Sequence, residues 1–295
     1  MMIDMFERMI SVDWSGAATE ADSVDLRVAT YDELTQQRQL LNRPFTNRRY
    51  ASWTREAFRR WIVEQLSTDA PRTLVALDFG FGLPWKSDQA LFEVTGWREL
   101  VRTLAQRYLH SHTARLTAQG INEVHQNVGE GPYRFNENRN AFGFYVDQGV
   151  SYFRLTELCA PQAISQWYLG SGGTVGFHTI TGLAMLNQLL SLREQKQLDF
   201  FVWPHDGLVI PNKKHVFVES YPSLAPSLED YGPCTDDNQR DAWKVLDMLI
   251  NRQNDDSIGD LFDIPHIPFG RYENVPLQDQ IMFEGWILGI VGERQ

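Results

Sequence analysis

The chain has 295 residues, 43% of them hydrophobic, and a formal net charge of −11, which is enough for one large domain or two smaller ones. No apolar run approaches the ~18 residues needed to cross a bilayer, and the N-terminus has no basic segment followed by an apolar core and a cleavage site. The two cysteines, Cys159 and Cys234, lie far apart, which argues against a disulfide framework or a Cys-based metal site, so a cytoplasmic protein with no membrane partner is expected. The acidic total weighs against nucleic acid as a partner, because such proteins usually carry a basic footprint. The charge is uneven, however: Arg43, Arg48, Arg49, Arg55, Arg59 and Arg60 cluster around a single Glu56, whereas acids crowd the stretch from Glu229 to Asp263.

Taken in order, Met9 to Gly16 reads as a short strand, with Ile10 and Val12 as β-formers, that ends on Asp13 and turns through Ser15 and Gly16. A carboxylate at a strand mouth either caps the turn or holds a metal ion or phosphate. Val24–Tyr31 and Gln39–Phe45 alternate as two further strands, so an antiparallel meander is predicted. Ser52–Leu66 has helical spacing, with Trp53, Phe58, Trp61 and Ile62 towards a sheet and arginines towards another side. Thr73–Leu77 is continuously apolar, as in a strand covered on both faces. It too ends on an acid, Asp78, followed by Gly80 and Gly82. Placed side by side, these two strands would bring Asp13 and Asp78 to one sheet edge, where ligands bind in open α/β sheets.

A helix is predicted over Trp97–Leu109, and an insertion over about residues 110–180. Within it, aromatics alternate with Arg134, Arg139 and Arg154, a pattern that packs as a lid or stacks on bases. The glycine-rich run Leu169–Thr179 precedes a helix over Leu183–Leu192. It lacks the Walker lysine and the dinucleotide spacing, and reads as a flexible turn or substrate-facing loop. Leu198–Pro204 and His215–Pro222 look like strands, the second carrying Glu219. Asp236–Ile250 reads as a helix whose first acids cap it, while Asp241 sits further in with less of a capping role. Glu284–Val291 reads as a closing helix or strand.

Several of these stretches resemble signature blocks of one family: VDWSGA at 12–17, ALDFGFGLP at 76–84, RLTE at 154–157, GTVGFHTITG at 173–182, VESYP at 218–222, Asp241-Ala242, and EGWILG at 284–289. The family is the domain of unknown function 429, whose members are regarded as nucleases of RNase H-like fold. The resemblance spans nearly the whole chain. It implies a single RNase H-like domain over residues 1–295, in which a mixed sheet of three antiparallel then parallel strands is covered by helices. It further implies a cytoplasmic, divalent-metal-dependent hydrolase acting on nucleic acid, DNA or RNA. By the same resemblance Asp13, Asp78, Glu219 and Asp241 are the catalytic acids and the ligands for Mg²⁺ or Mn²⁺, with Glu157 a fifth candidate. The Asp241-Ala242 pair is similar to the late-helix motif of the Holliday-junction resolvase branch. Hard cations take carboxylate oxygens, and two of them can stabilise the attacking and leaving oxygens of a phosphodiester displacement. Two other functions suit the same strand order: an ATP-dependent phosphotransferase of actin or sugar-kinase type, and a non-catalytic scaffold.

Overall fold

The structure is a computed structural model and describes residues 4–44, 52–67, 69–124, 132–133, 150–160, 162–170, 175–265, 267 and 275–290. Its centre is a six-stranded mixed sheet. β1 (Arg8–Asp13), β2 (Arg27–Asp32) and β3 (Gln37–Leu41) form the meander, followed in the chain by β4 (Thr73–Leu77), β5 (Phe200–Val202) and β6 (His215–Glu219). The order across the sheet is β3-β2-β1-β4-β6-β5. β1–β2 and β2–β3 are antiparallel, whereas β1–β4, β4–β6 and β6–β5 are parallel.

Side-chain alternation along these strands sorts the core into two layers. Ile10, Val12, Val28, Val75, Leu77 and Phe217 face one side of the sheet. There they meet α1 (Arg55–Gln65), α3 (Trp97–Ser111), α4 (Ala114–Val124) and α6 (Val175–Glu194). Met9, Ala29, Leu74, Ala76, Val216 and Val218 face the opposite side, covered by α7 (Asp237–Asn254). Burial on both faces explains why β4 reads as a continuous apolar run. Three short helices complete the chain: α2 (Ser87–Phe92), α5 (Leu155–Cys159) and α8 (Leu277–Glu284).

β4 matches its predicted bounds, and Asp236 caps α7 as expected, its carboxylate accepting from the Gln239 amide at 2.7 Å. β3 begins earlier than predicted, because Asp32 folds the preceding turn by accepting the Thr35 amide at 3.0 Å. The glycine-rich run differs more. Its last five residues are helical, so α6 starts at Val175 rather than Leu183. Glycine usually breaks a helix, but here Gly176 and Gly182 let α6 approach its neighbours closely: a Cβ at Gly182 would lie 2.3 Å from the Phe79 ring. Of the closing segment, residues 285–290 are neither helix nor strand, and Val291 lies outside the described residues. α8 ends at Glu284, and Ile287 then makes a single parallel bridge to Glu219. Arg134 and Arg139 lie outside the described residues, while Arg154 is fully buried and so takes no part in phosphate contact.

Two glycines test this packing in opposite directions. A Cβ at Gly82 would meet the Glu284 carbonyl oxygen at 2.5 Å, whereas one at Gly120, inside α4, would meet nothing within 4 Å. Gly82→Ala is expected to lower unfolding free energy by ~1–3 kcal/mol, and Gly120→Ala to raise it by ~0.5–1 kcal/mol, both read from urea denaturation.

Candidate active site at the ends of the parallel strands

Parallel pairing sets Val12 beside Leu77, and the Asp78 amide donates to the Val12 carbonyl at 3.0 Å, carrying the ladder one residue further. Asp13 therefore stands next to Asp78. Alternation gives both the same face: Asp13 follows Met9 and Ser11, and Asp78 follows Leu74 and Ala76, on the side covered by α7. Asp13 is 8% exposed and Asp78 is half-buried. Burial, then the charges of Asp78, Asp241 and Asp25, push the Asp13 carboxyl well above its ordinary value. Burial, then Asp241 and Glu219, push Asp78 up to about 8. The Asp78 charge adds to the rise at Asp13, as expected where two neighbouring carboxyls cannot easily ionise together. Asp241 bears on both from α7 and is itself tied to Lys244 at 2.6 Å.

Glu219 is placed differently. It lies beside Leu77 rather than Asp78, so alternation sends it to the opposite face of the sheet. There the Arg154 guanidinium takes both its oxygens, Nη2 to Oε1 at 2.5 Å and Nη1 to Oε2 at 2.8 Å, and the Phe81 amide donates to Oε2 at 2.9 Å. Arg154 also donates from Nε and Nη2 to Glu157 Oε1 at 2.8 and 2.6 Å, and to the Glu284 carbonyl at 3.0 Å. Glu284 in turn accepts the Trp85 and Leu155 amides at 2.7 and 2.6 Å. Burial opposes the Arg154 charge, but Glu157 and Glu219 outweigh it and hold its pKa above the ordinary value. Glu219 and Glu157, expected as metal ligands, are thus engaged with Arg154 in this buried network, although the Glu219 charge still bears on Asp78.

The turn after Asp13 is fixed from beneath. Buried Arg55, expected on a polar helix side, donates from Nη1 to the Ser15 and Ala17 carbonyls at 3.1 and 2.8 Å. Trp14 Nε1 donates to Thr181 Oγ1 at 3.1 Å. A Cβ on Gly16 would lie 2.1 Å from the His178 ring, and one on Gly80 would lie 2.2 Å from Gln166 Oε1. These motif glycines are required by close side-chain approach. Gly170 and Gly176 likewise abut Tyr168 and Leu169, while residues 171–174 lie outside the described residues. His178 comes to the site through α6, and burial lowers its pKa to about 4, so it is neutral at pH 7. A cavity of about 20 Å³ is lined by Asp78, Gln166, His178, Glu219, Ser220 and Tyr221, room for one water. Sequence reading missed Arg55, His178, Ser220 and Lys244. Only Lys244, on the same helix face as Asp241, carries a local signal.

Among the described residues, no group of three or more His, Cys, Asp or Glu side chains is placed to hold a metal ion as it stands. The donor set that does converge is the carboxylate pair. Mg²⁺ commonly binds through one or two carboxylates and keeps several waters, which is the donor chemistry two adjacent carboxylates offer. Among the described residues, no helix is long and apolar enough to cross a membrane. No protein-family model, curated protein or solved structure matches the chain.

Two outcomes follow from the charges. With an unfolded value of 3.8 and a folded value of about 8 for Asp78, the folded state holds a proton that the unfolded state loses between these values. The stability present below pH 4 should therefore fall as pH rises to about 8. Asp78→Asn should flatten that decline and be the more stable protein at pH 8 without metal, as read by chemical denaturation across pH. Arg154→Leu leaves Glu157 and Glu219 buried without their cation, and should lose ~3–5 kcal/mol or fail to fold, as measured by urea midpoint.

Proposed function

We propose that the chain is an RNase H-like member of the domain of unknown function 429 family, and a divalent-metal-dependent nuclease that hydrolyses phosphodiester bonds at the Asp13–Asp78 notch. The observation that carries the reading is that two carboxylates are held side by side at the ends of parallel strands, each raised by burial and by its acidic neighbours. The antiparallel-then-parallel strand order supports the fold assignment.

Asp13 and Asp78 would hold Mg²⁺ or Mn²⁺, which supplies Lewis-acid stabilisation of a phosphoryl oxygen when bound. Asp241 would complete the acidic wall, its swing limited by Lys244. Arg55 keeps the turn after Asp13 fixed, so the carboxylate does not reorganise as substrate arrives. Glu219, tied to Arg154 and the Phe81 amide, anchors the strand end and the Asp78 loop. The ring of His178, lying against Gly16, limits water on the flank of the notch.

Millimolar Mn²⁺ should raise the melting temperature of the wild type and leave Asp13→Asn and Asp78→Asn unmoved, with cleavage of a mixed DNA and RNA panel lost in both variants. A wild-type melting curve indifferent to Mn²⁺ and Mg²⁺ would sink the reading. ATP hydrolysis without strand cleavage would transfer the same acids to a phosphotransferase.

A further inference from the structure

The row of residues at the mouth of the sheet has a third member, and it is not an acid. Val12, Leu77 and Glu219 are level across β1, β4 and β6. The next residues are Asp13, Asp78 and Ser220, and the Ser220 amide donates to the Leu77 carbonyl at 2.9 Å, just as the Asp78 amide donates to Val12. Alternation returns Ser220 to the face that carries both aspartates. The residue is 4% exposed, and its Oγ is buried without a hydrogen-bond partner among the described residues. It lines the cavity that Asp78 also lines. A buried hydroxyl left unpaired is costly to folding, and a group placed so at the rim of a ligand notch is explained if the ligand supplies its partner.

We propose that Ser220 is a substrate-binding residue, whose hydroxyl donates a hydrogen bond to a phosphoryl oxygen of the group held at Asp13 and Asp78. This rests on the notch being a phosphodiester site. The chemistry favours donation outwards: carboxylates offer a phosphoryl oxygen only repulsion, and a hydroxyl in the same row supplies a neutral donor that adds no charge. An adjacent lysine would instead pair with the acids and compete with the cation.

The test combines stability and binding. Without ligand, Ser220→Ala removes no partnered hydrogen bond and should melt at or above the wild-type temperature. A fall of several degrees would show that the hydroxyl is used inside the protein, and would overturn the proposal. With Mn²⁺ present, inorganic phosphate should raise the wild-type melting temperature further. That added shift should vanish in Ser220→Ala and Ser220→Gly and be retained in Ser220→Thr. No added shift in the wild type, or an equal one in Ser220→Ala, would also overturn it. With bis(p-nitrophenyl) phosphate, KM should rise roughly tenfold or more in Ser220→Ala while kcat changes less. If the wild type cleaves no phosphodiester yet its phosphate shift depends on Ser220, the nuclease reading fails and the binding role stands.

Discussion

The register of β1, β4 and β6 governs what the mouth of this sheet can do. In parallel strands, neighbours at one level point to one face, and a shift of one residue reverses every side chain. Pairing Val12 with Leu77 and Leu77 with Glu219 therefore decides the fate of three acids at once. Asp13 and Asp78 share the α7 face, where Asp241 also bears on them. Glu219, one residue short of that row, turns to the other face and meets Arg154. The same register hands the third place in the row to Ser220.

Two kinds of buried charge result, and they have opposite energetic character. Around Arg154 the charges are opposite, fully buried and closely hydrogen-bonded to one another and to backbone amides. Removing one partner from such a network is far more costly than the net worth of the network, so it fixes how the Asp78 loop, α5 and the segment after α8 meet. At Asp13 and Asp78 the charges are alike, and Lys244, the cation that bears on Asp78, is bound to Asp241. That pair is a standing destabilisation relieved by a proton or by a cation. A fold that keeps such a pair next to a satisfied network concentrates its strain where a ligand can relieve it.

Much of this was legible in the chain. Strand alternation, the apolar run of β4 and the two strand-ending aspartates suffice to place Asp13 beside Asp78. The capping role of Asp236 was readable from its place before the helix. The engagement of Glu219 with Arg154 was not readable, because a strand-ending acid looks the same whichever way it points; parity depends on a partner strand far away in sequence. Arg154 read as one of three arginines alternating with aromatics in a lid or base-stacking pattern, since nothing local shows that Glu157, Glu219 and Glu284 close around it. The run Leu169–Thr179 read as a flexible turn, yet Gly170 and Gly176 are close-packed against Tyr168 and Leu169, as Gly16, read only as a turn residue, is against His178. Side-chain contact, rather than local propensity, decides each of these cases.

This bears on what a resemblance in sequence blocks can mean. The blocks at 76–84, 154–157, 218–222 and 284–289 all contribute atoms to the Arg154 network, whereas only some contribute to the acid notch. A chain could retain those four blocks for the network alone, and would then look like a family member whether or not it performs chemistry. The block VDWSGA is different in kind. Trp14, Ser15 and Gly16 have packing or hydrogen-bonding partners that account for them, but Asp13 has no cationic partner among the described residues and is paired with another acid. Burial and the neighbouring acids make a charged carboxylate costly there, so if the proposed metal site is absent, Asp13 is the residue of that block with least to gain from being an acid.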